Sequence, residues 1–257
     1  MDKCPLPANG SSVDKALSIL LAFTPYNQER GTTELAQKLG MHKSTTSRLI
    51  QGLVTGGFLQ QNPATRKYSL GGACHRIAYA VTRSLDSRLM TTAHPFMLEL
   101  ARETRENVAL EVLSGIDIIL ALHVDGPSHL RYNFRQGELV PFNVAAGAKA
   151  ILAHSDPEFL ENCLNRTFER FNERTIVDKE QYRQLLAQVR NEGIAYDRGE
   201  RYTEIHAMAA PIHNPVGPPT AAVIISGPAS RLDESFLKRA AKPLKQAAAK
   251  IAKGLYE

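Results

Sequence analysis

Apolar residues in the first third of the chain recur at helical spacing. Val13, Ala16, Leu17, Leu20 and Leu21 follow Ser11-Ser12-Val13-Asp14, in which a hydroxyl stands three residues ahead of an acid as in a capping box. This predicts a helix that ends before Pro25. Polar residues Asn27 to Gly31 form a loop, and Thr32 or Thr33 can cap a short helix through Leu39 with Leu35, Ala36 and Leu39 inward. Gly40 suits the left-handed residue that ends such a helix. Lys43 to Thr55 reads as a third helix with Leu49, Ile50, Leu53 and Val54 on one side and Lys43, Ser44, Thr45, Ser47, Arg48 and Gln51 on the other. The period then changes to two. Phe58–Gln61 and Arg66–Leu70 flank the turn Asn62-Pro63-Ala64-Thr65, a hairpin with Leu59, Tyr68 and Leu70 packed inward. After Gly71-Gly72, residues 73–88 have helical composition with Ile77, Ala78, Val81 and Leu85 on one stripe, a natural connector.

From Thr91 the pattern becomes mixed. Phe96, Leu98, Leu100 and Ala101 belong to a helix, Val108–Leu113 and Ile116–Val124 to strands joined at Ser114-Gly115, and Leu130–Phe134 to a third strand. Helices follow at Ala146–His154, Pro157–Leu164 and Asp178–Asn191, the last closed by Gly193. His206–Ile212 and Ala221–Ser226 supply late strands, and Leu232–Leu255 a terminal helix. The expected class is α+β, with an antiparallel sheet flanked by helices behind an all-helical and hairpin head.

Charge sharpens the picture of that head. Residues 1–85 hold ten Lys and Arg against four acids, while the remainder has 21 basic and 22 acidic residues. No acid occurs between Leu35 and Leu85, where Lys38, Lys43, Arg48, Arg66, Lys67, Arg76 and Arg83 all fall. Two helices joined by a tight glycine turn, the second rich in hydroxyls and bases, and then a hairpin with adjacent bases, make a winged helix-turn-helix. Such a cationic face releases counterions when it neutralises phosphates, so a nucleic acid is the expected partner. Lys43, Ser44, Thr45, Ser47 and Arg48 would enter the major groove, with Arg48 suited to guanine, while Arg66 and Lys67 would hold the backbone.

The head and its order of residues resemble a known family. Thr33-Glu34-Leu35-Ala36, Leu39 through Thr45, Arg48-Leu49, Gly57-Phe58-Leu59 and Tyr68-Ser69-Leu70-Gly71 resemble the IclR-type bacterial transcriptional regulators. The second half is similar to that family's GAF-like sensor through Gly137 to Phe142, Ala146 to Ala150, Gly193 to Asp197 with Glu200, Ala209 to Ile212 and Ser226-Gly227-Pro228. The resemblance implies a small-molecule pocket beside the sheet, with Gly147, Ala148, Asp197, Ala207 and Ser226 at the ligand and Leu130, Phe134 and Val140 as apolar wall. Three positions depart from the usual pattern: the Ala-Ser-Gly run is Ala146-Gly147-Ala148, a common Gly is Glu204, and a common Cys is Ala207.

The expected organisation is a DNA-binding domain at 11–72, a connector helix at 73–88 and an effector-binding domain at 89–257. The expected function is a ligand-responsive regulator of a metabolic operon that binds a double-stranded operator as a homodimer or dimer of dimers. One reading head spans only a few base pairs, so specificity needs two. The alternative is a small-molecule-binding domain or enzyme with an incidental basic N-terminus, which lacks a nucleophile and base motif. A nonspecific architectural DNA protein leaves the near-neutral second half without a task. A basic and polar pocket favours a carboxylate-bearing effector, which Arg131 and Arg135 could grip, although solvent-facing strand residues explain that pair as well.

Other chemistries have weaker support. Asp197 and Glu200 could form a catalytic pair, but a carboxylate that accepts from backbone amides is the expected role. His206 and His213 fit no zinc spacing, and no cofactor or metal is expected. The three cysteines, Cys4, Cys74 and Cys163, lack paired spacing and read as reduced thiols. Mean hydropathy is −0.24 and no apolar run reaches the ~18 residues of a membrane helix. Met1 to Ser12 lacks the apolar stretch of a signal peptide, so a cytoplasmic location is expected.

Overall fold

The computed structural model describes residues 10–24, 26–82, 85–127 and 136–257. It divides into two compact units, up to Asp86 and from Ser87 onward.

In the first unit, helix α1 (Ser12–Leu21) begins with the anticipated capping box: Asp14 N–H donates to Ser11 Oγ and the Asp14 carboxylate accepts from Ser11 N–H. Its buried side differs from the expected stripe. Ile19, Ala22 and Phe23 enter the core, whereas Val13, Leu17 and Leu21 are exposed at i, i+4 and i+8. Helix α2 (Thr32–Lys38) is preceded by Gly31 rather than a hydroxyl cap, and helix α3 spans Lys43–Thr55. Gly40, in the turn between them, has φ +62°, the left-handed conformation that glycine adopts without strain. Strands β1 (Leu59–Gln61) and β2 (Tyr68–Leu70) pair antiparallel, Leu59 with Leu70. Leu59 and Tyr68 close the core beneath Ile50 and Leu35, as the alternation requires. Helix α4 (Gly72–Thr82) follows, with Ile77 and Ala78 exposed.

Helix α5 (Leu85–Thr104) begins just before the division at Asp86 and runs through residue 88 into the second unit without a break. Strands β3 (Asn107–Ser114), β4 (Asp117–Val124), β5 (Leu139–Val140), β6 (Ala195–Arg198), β7 (Ile205–Pro211) and β8 (Ala221–Pro228) form one antiparallel sheet in the order β5-β4-β3-β8-β7-β6. Strands β5 and β6 are too short for their alternation to register in sequence. The strand expected at Leu130–Phe134 lies outside the described residues. Helices α6 (Ala146–Leu152), α7 (Pro157–Leu164) and α8 (Lys179–Glu192) lie on one face, and α9 (Glu234–Tyr256) with α5 on the other.

Alternation along each strand separates two cores. Val108, Leu110, Val112, Met208, Val223 and Ile225 meet α5 and α9. The opposite face is paved with smaller groups, Ala109, Ala195, Ala207, Ala209 and Ala222, and α6 lies on it. Small side chains let the helix approach closely, and Lys149 on its buried side is fully enclosed. The Lys149 ammonium donates to Tyr196 O at 2.9 Å and to Glu200 Oε1 at 2.5 Å. A buried charge without its partner is strongly unfavourable. Glu200→Leu is therefore expected to cost roughly 3–5 kcal/mol in chemical denaturation, and adding Lys149→Met to recover most of that loss.

Candidate nucleic-acid interface and sensor site

The outward side of α3 carries Lys43, Ser44, Ser47, Arg48 and Gln51 in solvent, with Thr45 half-buried. Thr46 and Ile50 point inward instead, and the Thr46 hydroxyl turns back to His42 O. No side chain caps the start of the helix and no acid lies in its first turn. Its leading N–H groups, at the positive end of the helix dipole, are thus open to an anion.

The hairpin is held by a carboxylate from the loop before α2. Glu29 accepts from Asn62 Nδ2 at 2.6 Å and from Thr65 Oγ1 at 2.7 Å, and these two bonds, with Lys67 nearby, hold its carboxyl below the usual range. Arg30 and Tyr68 exchange two backbone hydrogen bonds at 2.9 Å, which extends the hairpin by a bridge. Arg66 and Lys67 are exposed but precede β2 rather than lying in it, and Arg66 takes φ +57° to turn the chain. A basic tip is thereby presented on a fixed turn.

In the second unit the sheet register aligns three of the expected ligand residues. Asn107, Ser226, Ala207 and Asp197 are consecutive cross-strand partners on β3, β8, β7 and β6, and form one rung on the face that bears α6. Asp197 Oδ1 accepts from Glu200 N–H at 2.7 Å, and the Gly199 amide adds to it. Its partners are thus backbone amides, as expected, although it sits on a strand. Burial nevertheless raises its pKa against the pull of Lys149. Ser226 Oγ is buried and has no hydrogen-bond partner among the described residues.

Gly147 and Ala148 lie in the first turn of α6, and what they face was absent from the sequence reading. Glu111 on β3 is buried in this same face and accepts a hydrogen bond from the Ala148 backbone N–H. Its Oε2 is buried without a partner among the described residues. A methyl group on Gly147 would stand 2.2 Å from that oxygen. Burial pushes the Glu111 carboxyl up to about 7; the Ala148 amide opposes the shift, the Asp197 charge adds to it and Arg201 opposes it. The available signal was an acid inside the apolar run Val108–Leu113, at a position that alternation assigns to a buried face.

Val140 is half-buried on the edge strand β5, opposite Ile118, and does not join the rung. Leu130 and Phe134, the other expected wall residues, lie outside the described residues, as do Arg131 and Arg135. Glu204 is exposed and bonds Thr203 rather than entering the rung. His206 and His213 lie at opposite ends of β7: His206 Nδ1 meets Leu232 O at 2.9 Å, and His213 packs edge-on against His154. Among the described residues no group of three or more His, Cys, Asp or Glu side chains could hold a metal ion. Cys74 and Cys163 are free thiols. A separate cavity of about 940 Å³ opens between the end of α8, α9 and the segment after β7, with Arg190, His213 and Lys245 in its lining, and includes none of the expected site residues.

Two family patterns match this architecture, the IclR helix-turn-helix domain over residues 12–63 and the bacterial transcriptional regulator IclR C-terminal domain over 81–253. The chain belongs to the IclR family. Among its IclR-family relatives, the regulator KdgR of Escherichia coli K12 is 32% identical over 95% of this chain and 92% of its own. The transcriptional repressor IclR of the same organism is 28% identical, covering 89% and 84%. An IclR regulator from Silicibacter sp. TM1040 superposes with a TM-score of 0.81 at 26% identity, over 95% of this chain and 96% of that one. An IclR homologue from Microbacterium hydrocarbonoxydans, solved with 4-hydroxybenzoate, shares the fold at a TM-score of 0.80 and 22% identity, over 95% and 99%. The two curated relatives are regulators of transcription, and this chain is a DNA-binding regulator of the IclR family rather than an enzyme.

The Glu111 shift has a signed consequence. A carboxyl whose folded pKa lies above its unfolded value stabilises the fold below the unfolded pKa, and loses that contribution as pH rises through the folded one. Between pH 4.5 and about 7 the wild type should lose roughly 3 kcal/mol relative to Glu111→Gln. Urea titrations of both proteins across that window measure the difference; equal slopes would place the carboxyl in water.

Proposed function

We propose that this regulator controls a metabolic operon from the cytoplasm, and that a small molecule bound in the second unit changes its grip on a duplex operator. The acid-free, uncapped and exposed face of α3 carries the reading, because it offers cations, hydroxyls and free amides together. Lys43, Ser44, Thr45, Ser47 and Arg48 enter the major groove, and Arg66 and Lys67 lie along the phosphates. Support for the wing comes from its fastening to Glu29, which keeps two cations at a fixed tip.

A homodimer, or a dimer of dimers, reads two half-sites. The exposed Val13, Leu17 and Leu21 on α1 support pairing, since a stripe of this kind is more stable when another apolar surface covers it. The ligand lies against the rung of Asp197, Ala207 and Ser226 and against Gly147 and Ala148, with Val140 in its apolar wall. The 4-hydroxybenzoate complex of the Microbacterium homologue supports a small-molecule ligand. A carboxylate on that ligand would be met by Arg131 and Arg135, since the described charges around the rung are Glu111, Asp197 and Glu200 against Lys149 and Arg201. The ligand regulates only through different affinities for two arrangements of the paired heads.

Fluorescence anisotropy on a duplex selected from genomic fragments tests the assignment. Arg48→Glu should weaken binding by at least about tenfold and blur base preference at one position. Arg66→Ala or Lys67→Ala should weaken all sequences alike and lower the salt slope by about 0.9 each. Leu17→Glu should reduce affinity for a paired half-site duplex and leave a single half-site unaffected. Unchanged binding by Arg48→Glu would overturn the placement of α3.

A further inference from the structure

Glu111 is a buried acid among three of the residues that carry the effector reading. Its carboxylate takes the Ala148 amide, presses on the position a Gly147 side chain would fill, and interacts with Asp197. The absent side chain at 147 and the acid at 111 are sterically complementary: the space vacated on α6 is the space that Oε2 occupies. That oxygen is the unusual part. It lies on a residue only 7% exposed and has no hydrogen-bond partner among the described residues. Buried acceptors of this kind are ordinarily paired, and a missing partner is costly.

We propose that Glu111 determines the specificity of the sensor site, by offering Oε2 as an acceptor to a ligand that donates a hydrogen bond there. The inference rests on the effector reading above and deepens it. The ligand class follows from the chemistry. Above pH 7, where the Glu111 carboxyl is ionised, it accepts and cannot donate, so the matching group there is a hydroxyl or an ammonium. A ligand carboxylate directed at the same point meets like charge in a dry setting, beside Asp197 and with the Ala148 amide already taken, and is rejected. Ser226 Oγ, also buried and unpaired on this face, can either donate or accept and so suits a hydroxylated molecule.

The test is a thermal-shift titration of the full chain at pH 8 with four probes: D-xylose for hydroxyls, putrescine for ammonium, and benzoate and propionate for carboxylates without other donors. Glu111→Gln keeps the shape of the side chain and its bond to Ala148, and presents an N–H where Oε2 stood. This variant should gain about 3 °C from benzoate, with no such gain in the wild type. In Glu111→Ala, propionate should fill the vacated space and restore a similar shift. A wild-type response to D-xylose or putrescine that both variants lose supports the proposal, and the responding probe separates hydroxyl from ammonium. Benzoate stabilising wild type and Glu111→Gln equally, or neither variant responding to a carboxylate, would overturn it. These readouts need no DNA: failure of genomic fragments to bind would remove the regulatory reading and leave the ligand order intact.

Discussion

The ammonium of Lys149 organises the second unit. It is fully enclosed between α6 and the sheet, and its two recorded acceptors, Tyr196 O and Glu200 Oε1, come from β6 and the turn beyond it. A lysine in that position has to be met by oxygen, so the helix cannot rotate or slide without leaving a charge unsatisfied. With α6 held, Gly147 and Ala148 are held too, and so is the contact they make with Glu111. The same turn supplies the Glu200 amide that fixes Asp197. One buried cation thus positions both α6 and the turn after β6, and the alanine-paved face allows the close approach that buries it.

The head follows a different principle. Its core is small, built around Ile19, Phe23, Leu35, Ile50, Leu59 and Tyr68, and its outer surface is organised by the exclusion of acids. Of the acids that do occur, Asp14 closes a helix cap, Glu29 ties down the wing and Glu34 pairs with Arg30. Charge in the head therefore faces outward toward a polyanion, while the second unit, besides its surface ion pairs, encloses Lys149 with Glu200 and buries Glu111 and Asp197 on the same sheet face. That division matches a protein in which one unit grips a long, generic backbone and the other discriminates among small molecules by single hydrogen bonds.

Much of this was legible in the residues because local physics decided it. The capping box at Ser11, the limits of α3, the left-handed Gly40 and the helix ending at Gly193 each depend on neighbours within a few positions. The antiparallel sheet was legible from alternation, and the expected ligand residues came from family resemblance, with register then showing that Ser226, Ala207 and Asp197 stand side by side. Failures occurred where tertiary contact overruled pattern. Leu17 is as apolar as Ile19, and only packing decides which of them is buried. Arg66 looked like a strand residue, but the turn required its positive φ. Glu111 gave one signal, an acid at an inward position of an apolar strand, but its contact with Gly147, distant in sequence, appears only in the fold.

Duplex binding through backbone charge is the claim on which the functional account stands, and salt reports it without knowledge of the operator. The affinity of the full chain for a random-sequence duplex, measured from low to moderate salt, should fall linearly on logarithmic axes with a slope of several units, about 0.9 for each phosphate neutralised. A flat response, or no binding in dilute buffer, would contradict it.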